Sequence, residues 1–227
     1  MEVKVIAFDA DDTLWENEHY FRYTEELFCS FFQEYGPDDQ LLAILNDTGR
    51  KNIPLYGFGI KSFVLSMIEA GLTITQGNLP APLIEQMIGL GKEMIEKPIA
   101  LMDGIETVLS TLQGRYTLIV ATKGDLLDQE RKLRKSGLAG YFHHIEIMSE
   151  KNEQAYLKLT HHLAVQPGEL LMVGNSLPSD ILPVLNIGGH GMYIPYHITN
   201  VHEQAPPMMD HPRCKQLGSV REILQHI

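Results

Sequence analysis

Near the amino terminus Val3-Lys4-Val5-Ile6-Ala7-Phe8 forms a mostly apolar run, which the polar cluster Asp9-Ala10-Asp11-Asp12-Thr13 ends at once. β-Branched and aromatic residues over so short a run predict a strand buried on both faces, the kind found in parallel sheets. Carboxylates at the carboxyl end of such a strand fall in the crevice where open α/β sheets bind ligands. Like charges this close repel one another, and a cation among them, usually a metal, relieves the repulsion. The competing reading is local. Asp12 and Thr13 would cap a turn, and Asp9 and Asp11 would be solvated. The rest of the chain decides between the two.

After Thr13 the texture changes. Residues 16–97 carry helical periodicity and no convincing strand. Tyr20, Phe21, Leu27, Phe28, Phe31, Phe32 and Tyr35 recur at helical spacing, with Gly36-Pro37 as the stop. A second helix carries Leu41, Leu42, Ile44 and Leu45, and Pro54 with Gly57 and Gly59 breaks it. A third carries Ile60, Phe63, Val64, Met67 and Ile68; a fourth spans about 82–97. Four helices with no sheet between them predict a helical domain inserted into something else.

From Asp103 the chain alternates helix and strand, the signature of a parallel sheet with crossover helices. Further strands are predicted over 116–121, 144–148, 170–173 and 191–194. Asp125 is placed to cap one helix and Gly137 to stop it. Residues 197–215 are polar and contain proline, and read as surface loop. Ser219 and Glu222 have capping-box spacing for a last short helix. The organisation expected is a core of residues 1–15 and 98–227 with a helical domain over 16–97.

A net charge of 18 − 29 = −11 argues against a nucleic-acid or anionic-membrane surface. An acidic protein still binds phosphate where a metal and local donors override the global field. Cys29 and Cys214 are the only cysteines, without metal-ligand spacing, so no disulfide framework is expected. No apolar run approaches membrane-spanning length, and an acid at position 2 leading directly into a strand predicts no signal peptide. A cytoplasmic protein, monomer or homodimer, is the expectation.

Four predicted strands end in small or polar residues: Asp9, Asp11, Asp12 and Thr13; Thr122, Lys123 and Gly124; Lys151; and Gly174-Asn175-Ser176 with Asp180 close behind. In a parallel sheet those ends line one edge, so the groups converge although they are far apart in sequence.

On these residues the chain resembles the haloacid dehalogenase superfamily of hydrolases, whose fold is a Rossmann-like α/β core of three layers with a mainly parallel sheet. The resemblance implies that residues 16–97 are the inserted α-helical cap. Asp9-x-Asp11-x-Thr13 after a hydrophobic strand matches the first motif of that family. Thr122 matches the second motif. Lys151 matches the third, with Asn152 where proline often follows. Gly174-Asn175-x-x-x-x-Asp180 matches the fourth, with Asn175 in place of an aspartate.

The chemistry implied is a magnesium-dependent phosphatase acting on a small phosphorylated metabolite. In-line attack on phosphorus needs an oxygen nucleophile, charge neutralisation and a proton donor for the leaving group. Asp9 is the expected nucleophile, forming an aspartyl-phosphate. The resemblance makes Asp11 the general acid and base, with its backbone carbonyl on Mg2+. Thr122 offers a hydroxyl to a phosphoryl oxygen, and Lys151 a charge to the phosphoryl group and to Asp9. Lys123 either joins the phosphate site or is a solvated loop residue. Asp9, Asp11, Asn175 and Asp180 are the expected metal set, an amide oxygen at Asn175 giving weaker binding than a carboxylate would. Asp12 serves the turn and Thr13 shapes the loop.

Arg50, Lys51, Tyr56 and Lys61 either contact substrate or form a solvated face, and Trp15 either lines the site or packs. None of the histidine pairs is read as a metal site. A metal-independent 2-haloacid dehalogenase is the alternative within the family, and it lacks the acid at the position of Asp11. A signalling receiver domain carries its phosphorylated aspartate on a later strand. A non-catalytic phosphate-binding homologue stays open through Asn175.

Overall fold

The structure is a computed structural model of the chain and describes residues 2–198 and 210–227. It divides into two compact units, residues 1–17 with 99–227, and residues 18–98.

The first unit is built on six parallel strands: β1 (Val5–Phe8), β2 (Thr117–Lys123), β3 (His144–Met148), β4 (Leu170–Gly174), β5 (His190–Tyr193) and β6 (Cys214–Gln216). Their order is β3-β2-β1-β4-β5-β6. β1 is central because it is apolar on both faces, and all four of its residues are buried. Ile6 and Phe8 face one side with Leu118, Val120, Leu171 and Val173. That face packs on α5 (Ile105–Leu112), on Leu133 of α6 (Leu126–Lys135) and on Val220 and Ile223 of a final short helix. Val5 and Ala7 face the other side with Ile119, Ala121 and Met172. They are covered by Tyr156 and Leu159 of α7 (Glu153–His162) and by Val184 of α8 (Leu182–Asn186). The period-2 alternation of a strand makes this a helix–sheet–helix sandwich. The chain winds from β1 outward to β3, then crosses back to β4. The order reverses between β1 and β4, where such sheets bind ligands.

Two predictions for this unit need correction. The stretch 197–215 is not all loop, because Cys214 and Lys215 belong to β6, which pairs with β5. Three residues too polar to show a strand period are held there by the β5 edge, which offers them a ladder. Residues 199–209 of that stretch lie outside the described residues. Ser219 makes no capping bond: its hydroxyl meets Glu222 Oε1 at 3.5 Å, and the turn that follows is a short 3-10 helix. The helix after β4 begins as a wide turn over Leu177–Ile181, with Ser176 accepting from the Ser179 amide, before α8 follows.

The second unit contains α1 (Glu18–Phe31), α2 (Asp38–Tyr56), α3 (Ile60–Ile74) and α4 (Ala81–Glu96). α1 packs on α2 and α4, and α3 packs on the same two, closing a four-helix ring. Phe28, Cys29, Phe32, Leu41, Leu45, Met67, Ala70 and Met87 fill its core. Each large side chain among them stabilises the unit by about 1.5–3 kcal/mol on burial. Asn52, buried in α2, bonds to α3: its Nδ2 donates to Ser66 Oγ and to Glu69 Oε2, both at 3.1 Å. Pro54, expected to break α2, lies inside it. It is tolerated because the helix ends two residues later, at a Gly57 that adopts φ 73°, leaving only a carbonyl of the final turns without a partner.

Two glycines of α4 separate packing from propensity. A Cβ at Gly91 would overlap Val64 Cγ2 on α3, whereas one at Gly89 meets nothing within 4 Å. Gly89→Ala is therefore expected to stabilise the protein by about 0.5–1 kcal/mol through backbone entropy. Gly91→Ala is expected to destabilise it by about 1–3 kcal/mol through overpacking, both read from urea denaturation midpoints.

Candidate active site

The site is assembled at the carboxyl ends of β1, β2 and β4 and from the loop that follows β3. Asp9 follows Phe8 directly, and its amide donates to Val173 O at 2.8 Å, so β4 fixes where the carboxylate begins. Its Oδ1 accepts from Lys151 Nζ. Lys151 also donates to Asp180 Oδ1 at 2.6 Å. Asp180 Oδ2 accepts from the Ser176 amide at 3.0 Å, so both of its oxygens are engaged. The Asp180 carboxylate lies against Gly174, where any Cβ would collide with it.

These three charges are nearly removed from solvent, at 7% exposure for Asp9, 6% for Lys151 and 1% for Asp180. Burial works against the Lys151 charge, but Asp180 and Asp9 together hold its pKa well above the usual lysine value. Burial pushes Asp9 up to about 8; Lys151 opposes that shift and Asp180 adds to it. The two shifts share one electrostatic contribution. A single ammonium serves two carboxylates, so it is doubly favoured while the pair it serves is under-compensated.

Asp11 stands apart from this triad. Trp15 Nε1 donates to its Oδ1 at 2.7 Å, Gln129 Nε2 to its Oδ2 at 2.9 Å, and Lys132 Nζ reaches both oxygens at 3.0 and 3.1 Å. Between Asp9 and Asp11 the chain leaves the sheet. Asp12 adopts φ 64°, the left-handed conformation that favours glycine, and its Oδ1 accepts from the Asn17 amide at 2.8 Å. The turn role expected for Asp12 is thus a backbone reversal with its own side-chain lock. Thr13 Oγ1 donates to Asn175 Oδ1 at 3.3 Å, joining the β1 loop to the end of β4.

Thr122 is buried at the end of β2, its hydroxyl donating to Lys123 O at 3.2 Å. Lys123 Nζ donates to Ser179 Oγ at 2.9 Å, a bridge between the loops after β2 and β4. Asn152 caps α7, its Oδ1 accepting from the Ala155 amide at 2.9 Å. That bond is the local reason an asparagine follows Lys151, and Asp125 caps α6 in the same way. In the helical unit, Arg50 and Lys51 pair with Asp47, and Tyr56 donates to Glu69.

Three residues of the site were missed or left open by the sequence: Gln129, Lys132 and the polar end of Trp15. The available signal was spacing, since Gln129 and Lys132 stand three apart on α6 and share one helix face.

The residues present suit a sparsely liganded magnesium ion better than a closed cage. Among the described residues no three His, Cys, Asp or Glu side chains converge as a metal site. The Asp11 side chain is taken up by its own donors, and Asp180 by Lys151 and Ser176. The oxygens left are the second oxygen of Asp9, the Asp11 carbonyl and the Asn175 amide oxygen, which accepts only the long bond from Thr13. One carboxylate with two neutral oxygens is a set that Mg2+ completes with water and substrate phosphate.

The sequence profile of haloacid dehalogenase-like hydrolases matches residues 3–188. The chain belongs to the haloacid dehalogenase-like hydrolase family. A crystal structure of a haloacid dehalogenase-like hydrolase from Xanthomonas campestris superposes with a TM-score of 0.86 at 33% identity, over 97% of this chain and 88% of that one. The N-acylneuraminate-9-phosphatase of Mus musculus is 32% identical over 111 residues, 47% of this chain and 45% of that protein. That match spans a little under half of the relative's length. The 5-amino-6-(5-phospho-D-ribitylamino)uracil phosphatase of Escherichia coli is 23% identical over 85% of this chain and 83% of its own.

Asp9 carries a stability signature that checks the triad. The folded chain keeps the Asp9 proton up to about pH 8, while the unfolded chain loses it at the usual carboxylate value of ~4. Between those limits the folded state binds more protons, so stability falls as pH rises through the window. Asn at position 9 does not ionise. In EDTA, the melting temperature of Asp9→Asn minus that of the wild type is expected to grow from about pH 5 to about pH 8 and then level. A difference independent of pH would contradict the buried, under-compensated Asp9.

Proposed function

We propose that the protein is a magnesium-dependent phosphomonoester hydrolase that acts on a small phosphorylated metabolite through an aspartyl-phosphate on Asp9. The observation that carries this reading is the separation of two carboxylates two residues apart. Asp9 sits in a buried ion pair with Lys151, and Asp11 sits in a hydrogen-bonded cluster of its own. Two carboxylates in unlike environments suit two roles, nucleophile and acid/base. A dehalogenase of this family needs only the first. Relatives with phosphatase names point the same way.

Lys151 favours the ionised form of Asp9 against the effect of burial and offers its charge to the incoming phosphoryl group. An Asp9 oxygen forms a bond to phosphorus as the bond to the leaving oxygen breaks, and Asp11 donates a proton to that oxygen. Water then attacks phosphorus, Asp11 takes its proton, the Asp9–phosphorus bond breaks and inorganic phosphate leaves. The Thr122 hydroxyl turns from the Lys123 carbonyl to a phosphoryl oxygen, and Lys123 at the same strand end adds charge. Asp180 acts through Lys151, holding it between the two carboxylates. Asp9, the Asp11 carbonyl and Asn175 would hold the ion, which when bound neutralises charge on the phosphoryl oxygens.

Hydrolysis of p-nitrophenyl phosphate in Mg2+ and in EDTA tests this. Metal-dependent turnover is expected from the wild type, with a loss of about 100-fold or more in Asp9→Asn. Full activity in EDTA, or in Asp9→Asn, would defeat the proposal, and halide release from a 2-haloacid without metal would favour dehalogenation. Asn175→Asp adds a charge to the metal set, so the Mg2+ concentration for half-maximal rate is expected to fall by roughly three- to tenfold. An unchanged or higher requirement would remove Asn175 from the set.

A further inference from the structure

Both oxygens of Asp11 are held: Oδ1 accepts from Trp15 and Lys132, and Oδ2 from Gln129 and Lys132. Lys132 is the one donor that straddles both oxygens, and its side chain is only 11% exposed. It also donates to Asn17 Oδ1 at 2.9 Å and stands 3.8 Å from Asp128 one turn earlier on α6. A lysine tied at this many points holds the carboxylate in one orientation, which a surface pair does not do.

Gln129 gives the second, independent observation. It is 3% exposed, and its Nε2 is shared between Asp11 Oδ2 and Lys123 O, the latter at 3.0 Å. Both partners are acceptors, so the amide cannot be turned over, and its buried Oε1 carries no protein hydrogen bond. A buried acceptor without a partner is costly. The residue sits in that state because its donor end is what this place in the fold requires.

We propose that Lys132, with Gln129 and Trp15, is the positioning element of Asp11: it fixes the carboxylate that transfers the proton, so that the leaving oxygen is met in one geometry. This rests on the acid/base role proposed for Asp11. It assigns to the Gln129-x-x-Lys132 face of α6 a part in catalysis without contact to the substrate. The demand on the element depends on the leaving group. A p-nitrophenolate departs with little need of a proton, whereas an alkoxide needs one in the transition state.

The test compares Lys132→Met with wild type on β-glycerophosphate and p-nitrophenyl phosphate, both with Mg2+. It adds the 1H–15N spectrum of the full chain. Trp15 is the only tryptophan, so its indole N–H gives a single resonance that reports the Asp11 contact without reference to turnover. The expected result is a fall in kcat on β-glycerophosphate that exceeds the fall on p-nitrophenyl phosphate by about tenfold or more, with KM nearly constant. The indole resonance is expected to move toward its position in Asp11→Asn. Lys132→Arg, which still reaches both oxygens, should restore both readouts. Gln129→Leu removes one bond without touching a charge, and it is read in the same way if Lys132→Met does not fold. Equal losses on the two substrates, or an indole resonance that stays in place, would overturn this proposal alone. A wild type inert toward both phosphates would overturn the phosphatase reading and the positioning role with it.

Discussion

Lys151 shared between Asp9 and Asp180 is the interaction on which the arrangement of the site depends. Taking an ion out of water costs several kcal/mol even after relaxation, and here three ions are buried at one sheet edge. Only close contact offsets that cost, and close contact requires the loops after β1, β3 and β4 to end within bonding distance of one ammonium. The parallel order with β1 between β2 and β4 brings those ends together. Gly174 lets the Asp180 carboxylate lie against the strand. With two carboxylates on one lysine, a negative charge is left over. That residual charge adds to the effect of burial in lifting the Asp9 pKa, and it is what an added cation would answer.

Asp11 is built on the opposite principle. It is a quarter exposed at its side chain and is held by numerous donors, while Asp9 is buried and held by one. The chain leaves the sheet after Phe8, so two carboxylates only two residues apart meet different partners, and the left-handed turn at Asp12 follows them. One fold thereby makes two kinds of carboxylate from neighbouring positions. That division is the physical content of the hydrolase reading, and α6 supplies half of it.

Much of this was legible in the order of residues. Apolar runs ended by Asp, Thr or Gly-Asn named β1, β2 and β4 and the site edge, because a strand buried on both faces has no other composition open to it. Helical periodicity marked residues 16–97. Legibility failed where a partner overrode a local preference. Pro54 stays in α2 because the helix is nearly over, and Cys214-Lys215-Gln216 is a strand because β5 offers it a ladder. Ser219 and Glu222 have the spacing of a capping box but bond to each other. Lys132 and Gln129 read as an ordinary polar helix face, since nothing local says that Asp11 lies across from them.

The sequence by itself determined the strand ends and hence the residues of the triad, since binary pattern and the chemistry of Asp, Lys and Thr are properties of short segments. Tertiary structure alone decided how the charges are partitioned. Which carboxylate shares Lys151, which is clamped by Lys132, and which oxygens are left for a cation are contacts across more than a hundred residues of chain. Such contacts follow from the crossover order of the sheet and from the packing of α6 on one of its faces, and no local pattern encodes them.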